Sequence, residues 1–264
     1  MIKRFQSQFI NRIALFGLGT SILFIAANLQ FIQLQKTSAN TLINRTYSKQ
    51  EKSEKLNLSI LKQMPTFGFN NLIADWTMLK FLQYFGDGKA RKQTGYSLSP
   101  KYLEIIADRD PLFVKAYTVI SPVSSMFAGH PERTVSIMNK GLSKIPPNTP
   151  DAYYIWIYKA IDETLFLGDL QKAQNSYEKA SEWAEIAGNE QVAKSANNTA
   201  KFLASKPDAS QAQVGAWFIV WNSTVDERVR ELAKTKIESI GGELKIYPDG
   251  RVQAIPPNLN KSSS

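Results

Sequence analysis

The stretch GDLQKAQNSYEKA, residues 168–180, decides the fold class of this chain. Gly168 signals a turn, and a helical pattern begins immediately after it. Ala173, Tyr177 and Ala180 fall on one face of that helix, because residues three and four apart lie beside each other on an α-helix. Two small residues on this face would let a second helix approach closely, and the tyrosine between them would fill the remaining gap. The stretch therefore predicts one half of an antiparallel helical hairpin.

This segment resembles the second half of a tetratricopeptide repeat, in which a glycine turn joins two helices and small residues recur at fixed positions. A fainter copy follows Gly129, with Gly141 in its helix and Pro146 at its end. The resemblance covers residues 111–204 and implies stacked helical hairpins with a concave surface for peptides or partner helices. A generic antiparallel helical bundle is the alternative.

The resemblance also implies where a partner would bind. Transferring the repeat geometry onto the aromatic-rich helix before the glycine turn places Tyr158 and Asp162 on the concave surface. Val119, Val123 and Met126 of the preceding helix would line the same groove. For any single one of these five side chains, however, core packing is the favoured role.

Helical patterns continue on both sides of this region, but the chain ends differently. The segment GGELKIYPDGRVQAIPP, residues 241–257, alternates apolar and polar side chains around a Pro-Asp-Gly turn signal, which is typical of a β-hairpin. A lone hairpin is marginally stable in water, so we expect it to pack on the last helix. The predicted fold is mostly α, with a helical repeat-like domain over residues 66–255 that ends in this hairpin. Residues 256–264 would form a disordered tail.

The segment NNLIADWTMLKFLQYFGD, residues 70–87, is the most apolar part of this domain. On a helix, one face carries Leu72, Met78, Leu79 and Leu82, and Trp76 extends this apolar surface sideways. Asp75 falls in the middle of the face. An unpaired carboxylate costs several kcal/mol to bury, so it would need hydrogen-bond or ionic partners. We predict that Asp75 is a buried structural tie that fixes helix packing. A catalytic acid or base is the alternative.

An apolar run at residues 13–34, IALFGLGTSILFIAANLQFIQL, is about as long as a membrane-spanning helix. Residues 1–12 are basic and contain no acidic residue, so the positive-inside rule places the N-terminus in the cytoplasm. Residues 35–65 are polar and would form a stalk. This layout predicts a single-pass membrane protein with a periplasmic or thylakoid-lumenal domain. Cleavage of the run as a secretory signal is the alternative.

The chain has a formal charge of +9 and no cysteine. The positive excess lies in residues 1–150, whereas residues 151–208 are net acidic, which suits a membrane-proximal half facing an anionic bilayer. Gly, Ser and Pro surround the basic cluster at residues 89–101, so we interpret it as a solvated loop and not as a nucleic-acid site. Without cysteine, the core alone must hold the fold together.

The sequence offers few residues for catalysis. Because His130 is its single histidine, metal sites built from His and Cys are excluded, and a Ser-His-Asp triad would depend wholly on this residue. Neither a P-loop nor a dinucleotide fingerprint occurs. We therefore expect a protein that is not an enzyme, that has no metal or cofactor, and that binds neither nucleic acid nor a small-molecule substrate.

The predicted function is that of a membrane-anchored scaffold or assembly factor whose partner is another protein, in a membrane-associated complex. The order of anchor, hydrophobic helix, helical repeats and terminal hairpin also resembles that of uncharacterised cyanobacterial membrane proteins, a likeness that implies no activity. The alternatives are an enzyme that uses Asp75 as its acid or base and a cleaved, secreted binding protein.

Overall fold

A computed structural model describes residues 43–257, with side chains from residue 46 onward. These residues form eleven α-helices, one π-helical turn and one two-stranded antiparallel sheet. The helices are α1 (Ile43–Gln63), α2 (Asn70–Gly86), α3 (Gly88–Thr94), α4 (Ser99–Arg109), α5 (Val114–Pro122), α6 (Pro131–Leu142), α7 (Tyr153–Leu165), α8 (Leu170–Ile186), α9 (Glu190–Ala204), α10 (Ser210–Ser223) and α11 (Glu227–Ser239), with the π-helical turn at Val123–Phe127 and strands β1 (Glu243–Ile246) and β2 (Val252–Ile255). The prediction of a mostly helical fold with a small terminal β-hairpin is confirmed.

None of the helices in the described range is long and apolar enough to cross a membrane. The predicted leader at residues 1–12, the anchor at residues 13–34 and residues 258–264 of the predicted tail lie outside that range. The membrane anchor therefore stays a prediction.

Helices α7, α8 and α9 form two consecutive hairpins, with α8 packed against both of its neighbours. Gly168 makes the turn between α7 and α8 with a φ of +66°, a left-handed conformation that glycine adopts without steric cost. On α8, Ala173 and Ala180 are completely buried and Tyr177 is partly buried. The small residues are thus buried on the helix that packs against both neighbours, as the sequence predicts.

Aromatic side chains join α2 to α4. The ring of Tyr102 lies 5.6 Å from that of Phe81 and 5.3 Å from that of Tyr84, measured between centroids. The Tyr84 hydroxyl donates a hydrogen bond of 3.3 Å to the carbonyl of Gly95 and accepts one of 3.2 Å from the backbone N–H of Leu98. These contacts fix the second half of α2 against the loop before α4.

Helix α1 also packs on α4. Leu58 is buried, and the carboxylate of Glu54 accepts a hydrogen bond of 2.8 Å from the Tyr102 hydroxyl. The guanidinium of Arg109 donates to three backbone carbonyls at the end of α1. The described part of the predicted stalk at residues 35–65 therefore contains a surface helix whose side chains and last carbonyls bind α4, whereas residues 35–42 lie outside the described range.

The C-terminal hairpin covers a second core cluster. Its strands pair antiparallel with Leu244 opposite Ala254, and both side chains pack against a cluster of buried residues that includes Phe166, Trp217 and Ile237. The hairpin contacts α11 through β1 and α10 through β2. The expected packing of the hairpin on the last helix is therefore confirmed, and the sheet gains from this core the support that two strands lack by themselves.

Gly141 of α6 marks a tight helix contact that can be tested. A Cβ at this position would lie 2.6 Å from Cζ of Tyr117 and closer still to its hydroxyl oxygen. We expect Gly141→Ala to lower the free energy of unfolding by about 1–3 kcal/mol through overpacking, although alanine has the better helix propensity. The Tyr117 hydroxyl is buried with no hydrogen-bond partner among the described residues. Adding Tyr117→Phe removes the nearest atom and should therefore recover part of the loss, as measured by urea denaturation of both single variants and the double variant.

Gly215 of α10 supplies the matched control, because a Cβ there would meet nothing within 4 Å. Gly215→Ala should stabilise the protein by up to about 1 kcal/mol through helix propensity alone. If Gly141→Ala stabilised the protein as much as Gly215→Ala does, the tight contact with Tyr117 would be refuted.

Candidate functional site

The predicted partner-binding groove is not an open surface. Of its five residues Val119 is exposed, at 41 %, whereas Val123 and Asp162 are buried. Met126 and Tyr158 are partly buried against the two core clusters. Helix α10 packs on the π-helical turn and on α7. Four of the five side chains therefore contribute to the interior, which is the core-packing role that the sequence favours for each of them, and they do not line an open groove.

Asp162 instead takes part in an internal hydrogen bond. The Oγ of Ser125, on the π-helical turn, donates to Asp162 Oδ2 at 2.6 Å. Burial raises the pKa of Asp162 to about 8, and the nearby carboxylates of Glu163 and Glu132 act in the same direction. The carboxyl group is therefore mostly protonated at neutral pH, so it holds α7 to the π-helical turn without a buried charge.

The next residues of α7 form a closed polar network with α8. Lys159 Nζ lies 2.7 Å from Glu163 Oε1 and donates to Ser176 Oγ at 2.7 Å. Ser176 Oγ in turn donates to Glu163 Oε2 at 2.6 Å. All three side chains are buried, so the charged groups satisfy one another inside the protein. This mutual satisfaction suits a structural tie between α7 and α8 better than a reactive centre.

His130, the single histidine, precedes α6 and is partly buried. Burial lowers its pKa, and the neighbouring cation Arg133 lowers it further, so its imidazole is mostly neutral at pH 7. Within residues 46–257 no group of three or more His, Asp or Glu side chains is arranged to hold a metal ion. The described residues therefore supply neither a metal site nor a triad around this histidine.

Asp75 is exposed, so the prediction of a buried tie is wrong. The face of α2 that enters the core carries Ala74, Thr77, Phe81 and Tyr84. Two large aromatic side chains on this face meet Tyr102 of α4, and they outweigh the leucines of the opposite face. The helix is therefore turned so that its leucine-rich side, with the carboxylate at its middle, points away from the core.

This exposed side of α2 is a candidate binding surface, which we call the α2 outer face: Leu72, Asp75, Trp76, Leu79 and Leu82. Its four apolar side chains are between 47 % and 64 % exposed. Monomeric soluble proteins rarely expose a contiguous apolar patch of this kind unless it contacts a partner or a membrane. A shallow hollow of about 370 Å³ lies on it beside Trp76 and Lys80.

Apolar exposure continues beyond α2. Phe67 and Phe69, in the loop between α1 and α2, are 86 % and 63 % exposed. Leu56 and Ile60 of α1 and Met64 just after it are also exposed and recur at every fourth residue. Exposed apolar side chains therefore extend from α1 through the loop to α2.

No protein-family model, curated protein or solved structure matches this chain. The class that its fold and surface define is a helical protein with a terminal β-hairpin and an exposed apolar helix face. Its function must be inferred from the chemistry of its surfaces.

Sequence patterns do contain one signal for the α2 outer face. Residues 70–87 are apolar on all sides of the helix, so one neighbouring layer cannot cover all of them. The pattern predicts that a second layer is needed, but it does not say which side faces the core.

The raised pKa of Asp162 predicts a specific pH dependence. An aspartate in the unfolded chain has a pKa of about 3.9, so between about pH 4 and pH 8 the native state holds a proton that the unfolded state has released. The free energy of unfolding should therefore fall as the pH rises through this range. Asp162→Asn keeps an acceptor for Ser125 and removes the titration, so its stability should fall less from pH 5 to pH 8.

Urea denaturation at several pH values, monitored by tryptophan fluorescence, measures this difference in the free energy of unfolding. Asp75→Asn is the control, because it removes an exposed carboxylate from another helix, and it should keep the pH dependence of the parent protein. If Asp162→Asn lost stability in parallel with the parent from pH 5 to pH 8, a proton on Asp162 would not be responsible.

Proposed function

We propose that this protein is a non-enzymatic scaffold that holds a helix of a partner protein on the α2 outer face. The observation that supports the proposal is that α2 has apolar side chains on every side and that one side of the helix is exposed. Such helices are normally covered all round. A partner would complete the burial that the described residues leave unfinished.

The spacing of the exposed side chains suits a helical partner. Leu72, Trp76 and Leu79 follow one another at intervals of four and three residues, which forms the ridge that one helix presents to another. Recognition of an amphipathic helix by such apolar anchors is a recurring mode of protein binding. Trp76, a residue type enriched at binding hot spots, lies near the middle of this ridge.

Asp75 specifies the chemistry of the partner. Its carboxylate stands beside the apolar ridge, and no hydrogen bond or ion pair to it is formed within residues 46–257. Covering the face without a partner for this charge would be costly. We therefore propose that the bound helix carries a lysine or arginine opposite Asp75, which would also fix the register of the two helices.

The same carboxylate disfavours a lipid bilayer as the occupant. A helix that lies on a membrane places cations, and not an acidic residue, next to its apolar side. The exposed apolar side of α2 includes the polar residues Asp75 and Gln83. Its nearby cation, Lys80, has its Nζ 5.8 Å from the centroid of the Trp76 ring. An anionic membrane surface would repel the group that a basic partner helix would bind.

We also propose a membrane location for this surface. The apolar run at residues 13–34 would anchor the chain in a membrane, with the helical domain on its periplasmic or lumenal side, and the partner would belong to a membrane-associated complex. The hairpins formed by α7, α8 and α9, with their buried small residues, are consistent with a tetratricopeptide-like stack that serves as a rigid support.

The enzymatic alternative, with Asp75 as acid or base, has less support. The carboxylate stands among apolar side chains, and Lys80 is the single ionisable group that lines the adjacent hollow. General acid–base chemistry needs a second group within reach of the reacting atoms and protection from water. The exposed helix face provides neither in the described part of the chain.

Site-specific photo-crosslinking in cells tests the proposal. A photoreactive phenylalanine analogue at Leu79 should crosslink to one protein, and the crosslinked peptide should be an amphipathic helix with a lysine or arginine. Asp75→Arg should abolish the crosslink, and changing the basic residue of the partner to glutamate should restore it. Trp76→Ala should weaken binding of the identified partner about 30-fold or more, as expected for a hot-spot residue.

The same analogue at Phe202 of α9, which is 61 % exposed, is the matched control and should not crosslink to that protein. The proposal would be contradicted if the analogue at Leu79 crosslinked only to lipid or to a second copy of this chain. It would also be contradicted if Asp75→Arg left the crosslink to the partner protein unchanged.

A further inference from the structure

A second feature of the molecule is a cleft of about 520 Å³ bordered by α1, α4, α6, α11 and the loop after α3. Four cationic side chains line it, namely Lys55, Lys101, Arg133 and Arg228, whereas Asp226 is its single lining carboxylate. A pocket with this imbalance attracts anions, because its walls concentrate the field of the cations.

The carboxylates near the cleft are already engaged. Asp226 accepts hydrogen bonds from the backbone and the guanidinium of Arg228 at the start of α11. Glu104 is shared between Arg133, at 2.7 Å, and Lys62, at 2.6 Å. Nearby acidic groups therefore cannot also neutralise the remaining cations of the cleft.

Lys101 is a lining cation that has no ion-pair partner among the described residues. Its Nζ donates a hydrogen bond of 3.0 Å to Ser59 Oγ, and no carboxylate within residues 46–257 pairs with it. Burial lowers the pKa of Lys101, and repulsion from Lys55 and Arg133 lowers it further. The fold thus brings like charges together at a cost, which an anion bound between them would remove.

The backbone adds to the positive potential. Leu98, His130 and Asp226 all line the cleft, and they are the residues that immediately precede α4, α6 and α11. The N-terminus of α6 has no side-chain cap. Uncapped helix N-termini favour anions through their free N–H groups and the helix dipole, and here this effect supplements the cationic side chains.

The cleft is larger than a bare anion requires. Its volume falls in the range of about 300–1,000 Å³ that is typical of sites for organic ligands. The rings of Tyr96 and Phe127, with centroids 5.4 Å apart, and the side chains of Val229 and Leu232 give it apolar walls. An organic group attached to an anion would therefore find both charged and apolar contacts.

We propose that this cleft binds the phosphate group of a phosphorylated organic molecule, either a soluble phosphate ester or the headgroup of a phospholipid. Lys101 and Arg133 bind the phosphate oxygens, with Lys55 and Arg228 at the rim. A phosphate carries more charge and more acceptor oxygens than a carboxylate, which matches several cations converging from different elements. The inference does not rest on the α2 outer face or on the scaffold function proposed for it.

Calorimetric titration of the full-length protein with glycerol 3-phosphate tests the soluble form of the ligand. Pull-down on nanodiscs containing phosphatidic acid, compared with phosphatidylcholine alone, tests the lipid form. Lys101→Gln should reduce binding of the responsive probe by about tenfold or more, since it removes a charge-assisted hydrogen bond. Arg133→Gln should have a similar effect, so the inference does not depend on one variant.

Lys201→Gln is the matched control, because it removes the same charge from an exposed position on α9. It should leave binding unchanged. Without ligand, Lys101→Gln should melt at or above the temperature of the parent protein, because the substitution relieves repulsion, and this distinguishes a lost site from a lost fold. Selective binding of either probe that depends on Lys101 supports the inference and identifies the source of the phosphate. Absence of binding to both probes, or an equal loss in Lys201→Gln, would overturn it.

Discussion

The burial of three ionisable side chains on α7 is the constraint on which the rest of the structure depends. Lys159 and Glu163 satisfy each other and Ser176 of α8, whereas Asp162 keeps its proton and binds Ser125 of the π-helical turn. Removing charges from water offsets much of the attraction in a buried ion pair. We therefore interpret this network chiefly as a source of specificity, because it fixes the position of α7 against two different neighbours at once.

The placement of α7 determines what can pack on either side of it. Helix α8 packs on the side of α7 that carries Lys159 and Glu163, and α9 packs on α8 in turn. At the end of α7, Phe166 contacts Trp217 of α10 edge to face, with ring centroids 5.6 Å apart. This contact brings α10 across α7, and the terminal hairpin then covers the resulting cluster. Helix α7 thus contacts both the stacked hairpins and the second core.

Local signals in the sequence are sufficient for the parts of the fold that local interactions determine. The turn at Gly168, the small residues of α8 and the β-hairpin around residues 248–250 all form as predicted, since each depends on neighbours close in sequence. The errors concern surfaces. Asp162 is interior because α7 packs against the π-helical turn, where Ser125 binds it, and Asp75 is exposed because aromatic contacts with α4 decide how α2 is turned. Periodicity can identify a helix that is apolar on every side. Which of its sides is buried depends on the side chains that distant segments pack against it.

The helix that carries the α2 outer face is hydrogen-bonded to the loop that lines the cationic cleft. Tyr84 of α2 is hydrogen-bonded to Gly95 and Leu98, and both of these residues line the cationic cleft. Arg91 stacks on the ring of Tyr84 at 3.6 Å and pairs with Glu51 of α1, which secures the same junction from the other side. These contacts hold the helix that carries the apolar face and one wall of the cleft in a single arrangement. Any coupling free energy between a phosphate ligand and a partner on α2 would act equally on both affinities.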